Sequence, residues 1–451
     1  MNTRVEPQCE LDTVTDSPWL AAIEWTLTLA TCAFQVFCVP HEIWGDGAVR
    51  FETMTKLVDS GVVSPERYSI MQSLLAIPLY FLGKLFQRGP LFASYFNVVV
   101  LYSTLFVLYR LLRRHLPTAV LRRTILILVA ASMFGNHVQF FYGELLTACA
   151  AFIGVAALAL NRPLLAGLAM VVAVENTPAA MLGLLLCNGW WALKTRRWIH
   201  AAWPLFVSGG LIALEFWWRR GSVFASGYSG TRGFKTFMPY SDRPDFSYPL
   251  LLGAVSLLFS FGRGILFYAP GLLLHHVPIR EKRNTVSTTI AQLSIAFFWG
   301  MVLAYSRWWC WYGAWFWGQR FLLFACLPAS FALARHVSTR GRTPFAVSVL
   351  TVAVVVWSAW VGINGTVIKE VETEPCMMNN FYWESICFYI PEFSPLIHPL
   401  IVPKALKFWD KIEVLLGAAV AFALIVPMLW SRIRDYAIRV LTLGGYQPKA
   451  G

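Results

Sequence analysis

The long apolar segments of this chain restrict its possible folds more than any other feature. Residues 91–109, 164–174, 286–304 and 344–363 contain no charged side chain. A helix needs about 20 mainly apolar residues to cross a hydrocarbon core about 30 Å thick. Only 14% of the 451 residues are charged and 57% are hydrophobic, so a soluble domain of this size would lack the charges to cover its surface. The sequence therefore predicts an all-α polytopic membrane protein.

Positive charges between the apolar segments predict the topology. Cytoplasmic connections are enriched in Lys and Arg. The basic cluster within 110–123 and the basic tail after residue 430 follow this rule if the N-terminus is cytoplasmic. Segment 69–88 is short and contains Pro78. If it crossed the membrane, the basic cluster within 110–123 would lie outside, against the rule. We therefore predict that segment 69–88 lies in the interface or re-enters. About twelve spans (11–13) remain, near residues 18–40, 91–110, 124–141, 145–160, 163–177, 179–193, 200–218, 264–279, 286–306, 321–336, 344–363 and 412–430.

This topology places the long polar segments on one side of the membrane. Residues 1–451 are expected to form a single transmembrane domain with both termini in the cytoplasm. Loops 41–90, 219–263, 307–320 and 364–411 then form its extracytoplasmic face. Chemistry on a polar substrate is therefore expected outside.

The net charge of +13 would favour nucleic-acid binding in a soluble protein. Here the basic residues lie mainly at the ends of apolar segments, where topology signals and headgroup contacts are expected, so we predict no nucleic-acid partner. No CxxC, P-loop or GxGxxG motif occurs. Cys376 and Cys387 both fall in outer loop 364–411, in a compartment that permits a disulfide between them.

The first outer loop begins with His41, Glu42 and Asp46 directly after a predicted span. From residue 47 to 60 apolar positions recur with helical spacing, which predicts a short amphipathic helix in the interface. Asp46 would lie near its N-terminus, where free N–H groups and the helix dipole stabilise a carboxylate. The position suits a catalytic acid, and it also suits a simple helix cap.

A second acid, Glu144, follows Tyr142 in the sequence FFYGELL, at the outer mouth of the third and fourth predicted spans. The third span also carries Asn136, His137 and Gln139 near its outer end. Polar residues at membrane depth are costly and usually face a cavity or a partner. The pattern favours a substrate site, and the alternative is a polar cluster that joins two helices.

Two arginines complete the set of candidates. Arg263 stands between two glycines at the start of a predicted span, and Arg320 ends the stretch WYGAWFWGQR. Glycines allow a close backbone approach, and a guanidinium suits a phosphate. The aromatic stretch, which includes Trp315, offers flat faces for a sugar ring beside a cation. The alternatives are arginines that reach lipid headgroups and an interfacial aromatic belt.

Taken in order, Asp46, Glu144, the segment Gly262–Pro270 and WYGAWFWGQR resemble segments of the GT-C superfamily of integral membrane glycosyltransferases. The protein O-mannosyltransferases and the aminoarabinose transferases of lipid A are relevant members. The resemblance covers most of the chain and implies a GT-C-like fold in the bacterial cytoplasmic (inner) membrane. It also implies a polyprenyl-phosphate sugar donor and transfer, with inversion, to a glycan, lipid or protein acceptor.

The same resemblance implies roles for individual residues. Asp46 would be the general base, while Arg263 and Arg320 would neutralise the leaving phosphate. Glu144 would orient the acceptor or, as in metal-dependent relatives, help to hold a divalent cation; no other cofactor is implied. His41, Tyr142 and Trp315 are grouped with the substrate-binding residues. One departure leaves the base open: the family often has two neighbouring acids, whereas Gly47 follows Asp46 here and Glu42 or Glu52 would have to supply the second.

Three other functions fit part of the pattern. A transporter or flippase of lipid-linked glycans would require a polar central pathway and charges at mid-membrane depth, and few charges occur there. A polymerase or ligase of surface polysaccharide would share the outward-facing chemistry. A non-enzymatic scaffold is the last alternative.

Overall fold

The computed structural model describes residues 17–278, 285–339, 343–369 and 374–443, and in these ranges the chain is helical, with no β-strand. The α-helices are α1 Pro18–Phe37, α2 Asp46–Ser60, α3 Met71–Lys84, α4 Gly89–Ser94, α5 Phe96–Leu112, α6 Thr118–Ala130, α7 Phe134–His137, α8 Glu144–Ala159, α9 Pro163–Asn176, α10 Met181–Thr195, α11 Trp198–Arg220, α12 Leu250–Phe259, α13 Ile265–Tyr268, α14 Thr285–Ser306, α15 Cys326–Ser338, α16 Phe345–Ile363, α17 Glu374–Phe381, α18 Ile386–Tyr389, α19 His398–Ile401 and α20 Phe408–Leu443. Short 3-10 or π segments are Pro178–Ala180, Pro270–Leu274, Arg320–Ala325, Asn364–Ile368 and Pro391–Phe393.

Seven helical segments in the described part of the chain are long and apolar enough to cross a membrane, by length and composition. Three apolar helices, α8, α9 and α12, are shorter. This confirms the helical class and is the pattern of a multi-pass membrane protein, while the count of twelve spans stays a prediction. The seven segments are Pro18–Phe37, Gly89–Leu112, Trp198–Arg220, Thr285–Ser306, Arg320–Ser338, Phe345–Ile368 and Phe408–Arg434.

Helix α8 lies at the centre of the bundle and packs against α5, α9 and α14. Nearly all its side chains are buried, and it is rich in alanine. Small residues let helix backbones approach closely, which is the usual packing mode of helices in a bilayer. Gly154 shows this directly, because a Cβ there would lie 2.7 Å from the Met170 side chain of α9. The N-terminus of α8 is therefore held in place by the helices that pack around α8.

A buried ion pair joins α1 to α6. The Nε atoms of Arg122 and Arg123 lie 2.5 Å and 2.7 Å from the two carboxylate oxygens of Glu24. The sequence placed both arginines in a basic cytoplasmic connection, but the structure places them inside α6, almost fully buried. The physical reason is Glu24, 98 residues before Arg122, whose single carboxylate pairs with both guanidinium groups inside the bundle.

The segment predicted as a span at 264–279 is broken in the structure. It contains the one-turn helix α13 and the 3-10 segment Pro270–Leu274, and most of it is buried in the protein. Pro270 has no backbone N–H and its ring disfavours the preceding α-helical turn, so α13 ends before it. The predicted span 124–141 is also interrupted, since α6 ends at Ala130 and the chain turns before α7.

The loops that the sequence analysis predicts to face outward contain short helices. The amphipathic helix predicted from 47 to 60 is confirmed as α2. Segment 69–88 contains α3, whose fourteen residues are fewer than a span needs. Cys376 and Cys387 form a disulfide, as the shared loop allowed.

Candidate functional site

Asp46 is the first residue of α2, and the turn before it fixes where its carboxylate lies. Gly45 has a φ of +54°, in the region that favours glycine. A Cβ at Gly45 would also lie 2.4 Å from the Tyr142 hydroxyl. The start of α2 is thus pressed against the segment that leads into α8, and this brings Asp46 near Glu144.

Arg320 joins the two acids that the sequence singled out. Its Nη1 lies 2.7 Å from Asp46 Oδ2 and 3.4 Å from Glu144 Oε1. The Arg320 side chain is 6% exposed, against 26% for Asp46 and 15% for Glu144. Three predicted site residues from distant parts of the chain therefore form one group, which we call the acid–arginine group.

The second oxygen of Asp46 has a partner that the sequence did not reveal. The Tyr68 hydroxyl donates a hydrogen bond of 2.6 Å to Asp46 Oδ1. Burial raises the pKa of Asp46, but the charge of Arg320 and the hydrogen bonds from Tyr68 and Arg320 outweigh it, so the pKa lies below its usual value. Asp46 is therefore a carboxylate at neutral pH.

Aromatic rings surround the guanidinium of Arg320. Its central carbon lies 5.5 Å, 5.8 Å and 5.0 Å from the ring centres of Tyr142, Phe316 and Phe321. Such contacts stabilise a cation and exclude water. Arg320 Nε and Glu144 Oε2 are buried and have no hydrogen-bond partner among the described residues. The group thus has one free donor and one free acceptor beside its ion pair.

A cavity of about 310 Å³ lies next to the acid–arginine group. Tyr68 lines it, and the same side chain bonds Asp46. Arg67 also lines it, with its guanidinium 5.1 Å from the Tyr68 ring centre and 5.8 Å from that of Tyr228. Asp46 does not line the cavity itself, so Tyr68 is the link between the two, and the wall carries both a cation, Arg67, and an acid, Glu66. Its remaining lining residues are Val49, Pro65 and Gly227.

The loop that carries Arg67 and Tyr68 is held by α11. Arg219 donates to the carbonyl oxygens of Ser64, Tyr68 and Glu66, at 2.8 Å, 2.6 Å and 2.8 Å. Glu215, one turn earlier, pairs with Arg219 at 2.6 Å. The only sequence signal for this support was a pair of arginines at the end of a span, which reads equally well as a headgroup contact.

His41 and Arg263 are not in the acid–arginine group. His41 Nε2 lies 2.9 Å from the Gln35 carbonyl oxygen, and its ring packs 4.1 Å from that of Tyr95. Arg263 is completely buried and donates to the Phe316 carbonyl at 2.8 Å. It therefore supports the loop before Arg320. The predicted close approach at its glycine neighbours is real, because a Cβ at Gly262 would lie 1.8 Å from the Cys387 carbonyl oxygen.

Trp315 belongs to a second cluster, within the outer loops. Its indole N–H donates to Glu384 Oε1 at 3.3 Å, and its ring stacks on Phe381 with centres 4.0 Å apart. The Tyr312 hydroxyl donates to Glu384 Oε2 at 3.2 Å. Glu384 also lines a cavity of about 50 Å³ with Tyr312, Phe234 and other aromatic residues. We call Tyr312, Trp315, Phe381 and Glu384 the aromatic–acid cluster.

The two carboxylates of the acid–arginine group do not fit a divalent cation. Arg320 Nη1 already lies within 3.4 Å of both Asp46 and Glu144, so its charge takes the place that a metal would occupy. Among the described residues no three His, Cys, Asp or Glu side chains come close enough to hold a metal ion. The group is therefore suited to proton transfer by its own side chains.

The fold and the site together define a helical membrane protein with a buried acid–arginine group where α2 meets the N-terminus of α8. Comparison with protein-family models, with curated proteins and with solved structures finds no match for this chain. The resemblance to the GT-C enzymes therefore stays a prediction carried by the chain's own residues.

Proposed function

We propose that this protein is an inverting glycosyltransferase that moves a sugar from a polyprenyl-phosphate donor to an acceptor on the extracytoplasmic face. The observation that supports this most is the Asp46 carboxylate held by Arg320 and by Tyr68, which also lines a cavity bordered by Arg67. A general base and a phosphate-binding cation at one place are what such a transfer requires. The proposal includes a GT-C-like fold of about twelve spans in the bacterial cytoplasmic membrane, with cytoplasmic termini.

In the proposed reaction Asp46 accepts the proton of the acceptor hydroxyl. The acceptor oxygen forms a bond to the anomeric carbon of the sugar while the bond from that carbon to the phosphate oxygen breaks, and the lipid phosphate leaves with the electron pair. A carboxylate in an ion pair is a weak base. Binding of the donor phosphate would draw Arg320 away from Asp46 and so strengthen the base where it is needed.

Arg67 is a better candidate than Arg263 for binding the phosphate. Arg263 is completely buried and bonds a backbone carbonyl, whereas Arg67 lines the cavity next to Asp46. A guanidinium can bind two phosphate oxygens at once. We therefore assign charge neutralisation to Arg67 and Arg320, and a supporting role to Arg263.

Helix α3 supports the delivery of a lipid-linked donor. It packs against α2 and exposes Leu74, Leu75, Phe81 and Leu82. A short helix with an exposed apolar face suits the membrane interface, where its side chains contact acyl chains. The polyprenyl chain would remain in the bilayer near α3 while its phosphate enters the cavity at Arg67.

The aromatic–acid cluster is our candidate for binding the acceptor. Aromatic faces stack on the apolar faces of sugar rings, and a carboxylate accepts hydrogen bonds from their hydroxyls. Trp315 is 41% exposed, so one of its edges is accessible. These residues fit a glycan acceptor better than a purely apolar one.

The function can be tested in the cell that makes the protein. A deletion strain should accumulate a polyprenyl-phosphate sugar and show a truncated surface glycan, seen by mass spectrometry of lipids and of envelope glycans. Wild-type protein should restore both, and so should Glu52→Gln. Glu52 was a possible second carboxylate in the sequence, but its exposed side chain pairs with Lys56 on α2, outside the acid–arginine group. A deletion strain with normal lipid-linked sugars and normal glycans would contradict the proposed function. Lipid-linked sugar that moves across vesicles without transfer would instead indicate a flippase.

A further inference from the structure

A cavity of about 380 Å³ lies at the opposite end of the bundle from the acid–arginine group. Helix α8 begins at Glu144 in that group and ends at Ala159, which lines the cavity. Sixteen residues of helix span about 24 Å, so the two places are separated by most of a membrane's hydrocarbon thickness. The end of α10 and the start of α14 form its other walls.

The polar lining of this cavity suits an anion. Lys194 and Arg197 both line it, and none of its lining residues is Asp or Glu. Arg197 donates to Asn161 Oδ1 at 2.8 Å, and Lys194 Nζ lies 4.6 Å from the Trp190 ring centre. These contacts hold both cations at the cavity without neutralising them, since an amide and an aromatic ring carry no net charge. Thr289 and Gln292 of α14 add further hydrogen-bonding groups.

Close in sequence to the lining residues, the basic residues Arg162 and Arg196 are exposed, and so are several apolar side chains. Leu164 and Leu193 are exposed by more than half, and so is Ile199 at the start of α11. A soluble anion would gain nothing from such neighbours, but the acyl chains of a lipid would cover them. Basic pockets between membrane helices at the headgroup level bind anionic lipids.

We propose that this cavity binds the headgroup of an anionic phospholipid, with Lys194 and Arg197 on its phosphate. The site is separate from the proposed transferase site, since its lining residues come from the far ends of α8 and α10 and from the start of α14. It would anchor the junction of these three helices at the membrane surface. Its occupancy does not depend on whether sugar transfer occurs.

The test measures lipid binding by the purified full chain in detergent. Native mass spectrometry would follow binding of a short-chain phosphatidylglycerol, with the matching phosphatidylcholine and inorganic phosphate as separate probes. One phosphatidylglycerol should bind, and the double variant Lys194→Gln, Arg197→Gln should weaken this about tenfold or more, because it removes both cations that line the cavity. Lys194→Arg should retain binding.

The matched control removes two charges at the same end of the bundle. Arg113 and Arg114 follow α5, are exposed and do not line the cavity. Arg113→Gln with Arg114→Gln should leave phosphatidylglycerol binding unchanged, and thermal unfolding should show that all variants fold. Equal binding by the Lys194/Arg197 variant and the wild type would overturn the proposal. An equal loss of phosphatidylglycerol binding in the Arg113/Arg114 control would also overturn it. Displacement of the lipid by inorganic phosphate at the same concentration would do so too.

Discussion

Arg320 Nη1 lies 2.7 Å from Asp46 Oδ2, which ties the first residue of α2 to the start of the 3-10 segment Arg320–Ala325 across 274 positions of sequence. The same nitrogen reaches Glu144 at the N-terminus of α8. One guanidinium thus fixes α2 against the central helix of the bundle. Arg320 both holds these helices together and takes part in the proposed chemistry, so replacing it should lower stability and activity together.

Replacing Arg320 should destabilise the protein. Arg320→Gln leaves Asp46 and Glu144 without their cation, and breaking a buried pair costs about 3–5 kcal/mol, with the lower end expected because Asp46 is partly exposed. Thermal unfolding in detergent should show a clear drop in Tm. Arg232→Gln is the control, because Arg232 and Asp242 form a long, exposed ion pair. Equal Tm values for the two variants would contradict a structural role for Arg320.

Removing the Tyr68 hydroxyl should change the pH dependence of transfer. The hydrogen bond from Tyr68 helps to lower the pKa of Asp46, so Tyr68→Phe should raise that pKa. Activity that needs the carboxylate falls as the pH drops through this pKa, and the acidic limb of the pH–rate profile should therefore move to higher pH. Tyr436→Phe removes an exposed phenol on α20, outside both the acid–arginine group and the aromatic–acid cluster, and should leave the limb in place. If the acidic limb of the pH–rate profile were unchanged in Tyr68→Phe, the pKa of Asp46 would not be what determines that limb.

The ion pair between α1 and α6 should be important for stability but not for chemistry. Glu24→Gln removes the carboxylate that pairs with both buried arginines, Arg122 and Arg123, at a cost of about 3–5 kcal/mol. Chemical denaturation should report this loss, while the KM for donor in the remaining folded protein stays at the wild-type value. A wild-type denaturation midpoint would mean that the two arginines find solvent or another partner.

The disulfide should hold the aromatic–acid cluster in place. Cys376 and Cys387 flank Phe381 and Glu384, which contact Trp315. Replacing both cysteines with serine removes a constraint worth about 2–3 kcal/mol for a short loop, so limited proteolysis between residues 374 and 401 should become faster. The KM for the acceptor should rise while kcat with saturating acceptor changes little. Cys149→Ser, at a buried free cysteine in α8, is the control for loss of a sulfur atom.

Local patterns in the sequence predicted much of the fold and part of the site. Apolar segments of membrane length predicted the helical class, and the amphipathic pattern after Asp46 predicted α2. Both features could be predicted because they depend on residues that are close in sequence. The sequence marked Asp46 at the start of the amphipathic helix, Glu144 at the mouth of two predicted spans, and Arg320 at the end of an aromatic stretch. The structure shows that they form one group.

What the sequence missed depends on distant contacts. Tyr68 and Arg67 lie in an irregular loop whose position is set by Arg219, about 150 residues later, so no local pattern marks them. Arg263 looked like a ligand because of its charge, but its role follows from burial against the Phe316 carbonyl. A single sequence contains no signal that separates an arginine that binds substrate from one that supports a loop.

The central claim is that Asp46 is the general base of a sugar transfer, and turnover of Asp46→Asn in reconstituted liposomes tests it most directly. The assay would follow transfer from a polyprenyl-phosphate sugar to envelope acceptor extracted from the deletion strain, with Glu52→Gln measured in parallel. Asparagine cannot accept the proton, so kcat should fall by about 10²–10⁴-fold while Glu52→Gln stays at the wild-type rate. Thermal unfolding would establish that both variants are folded. Transfer by folded Asp46→Asn at the wild-type rate would contradict the claim.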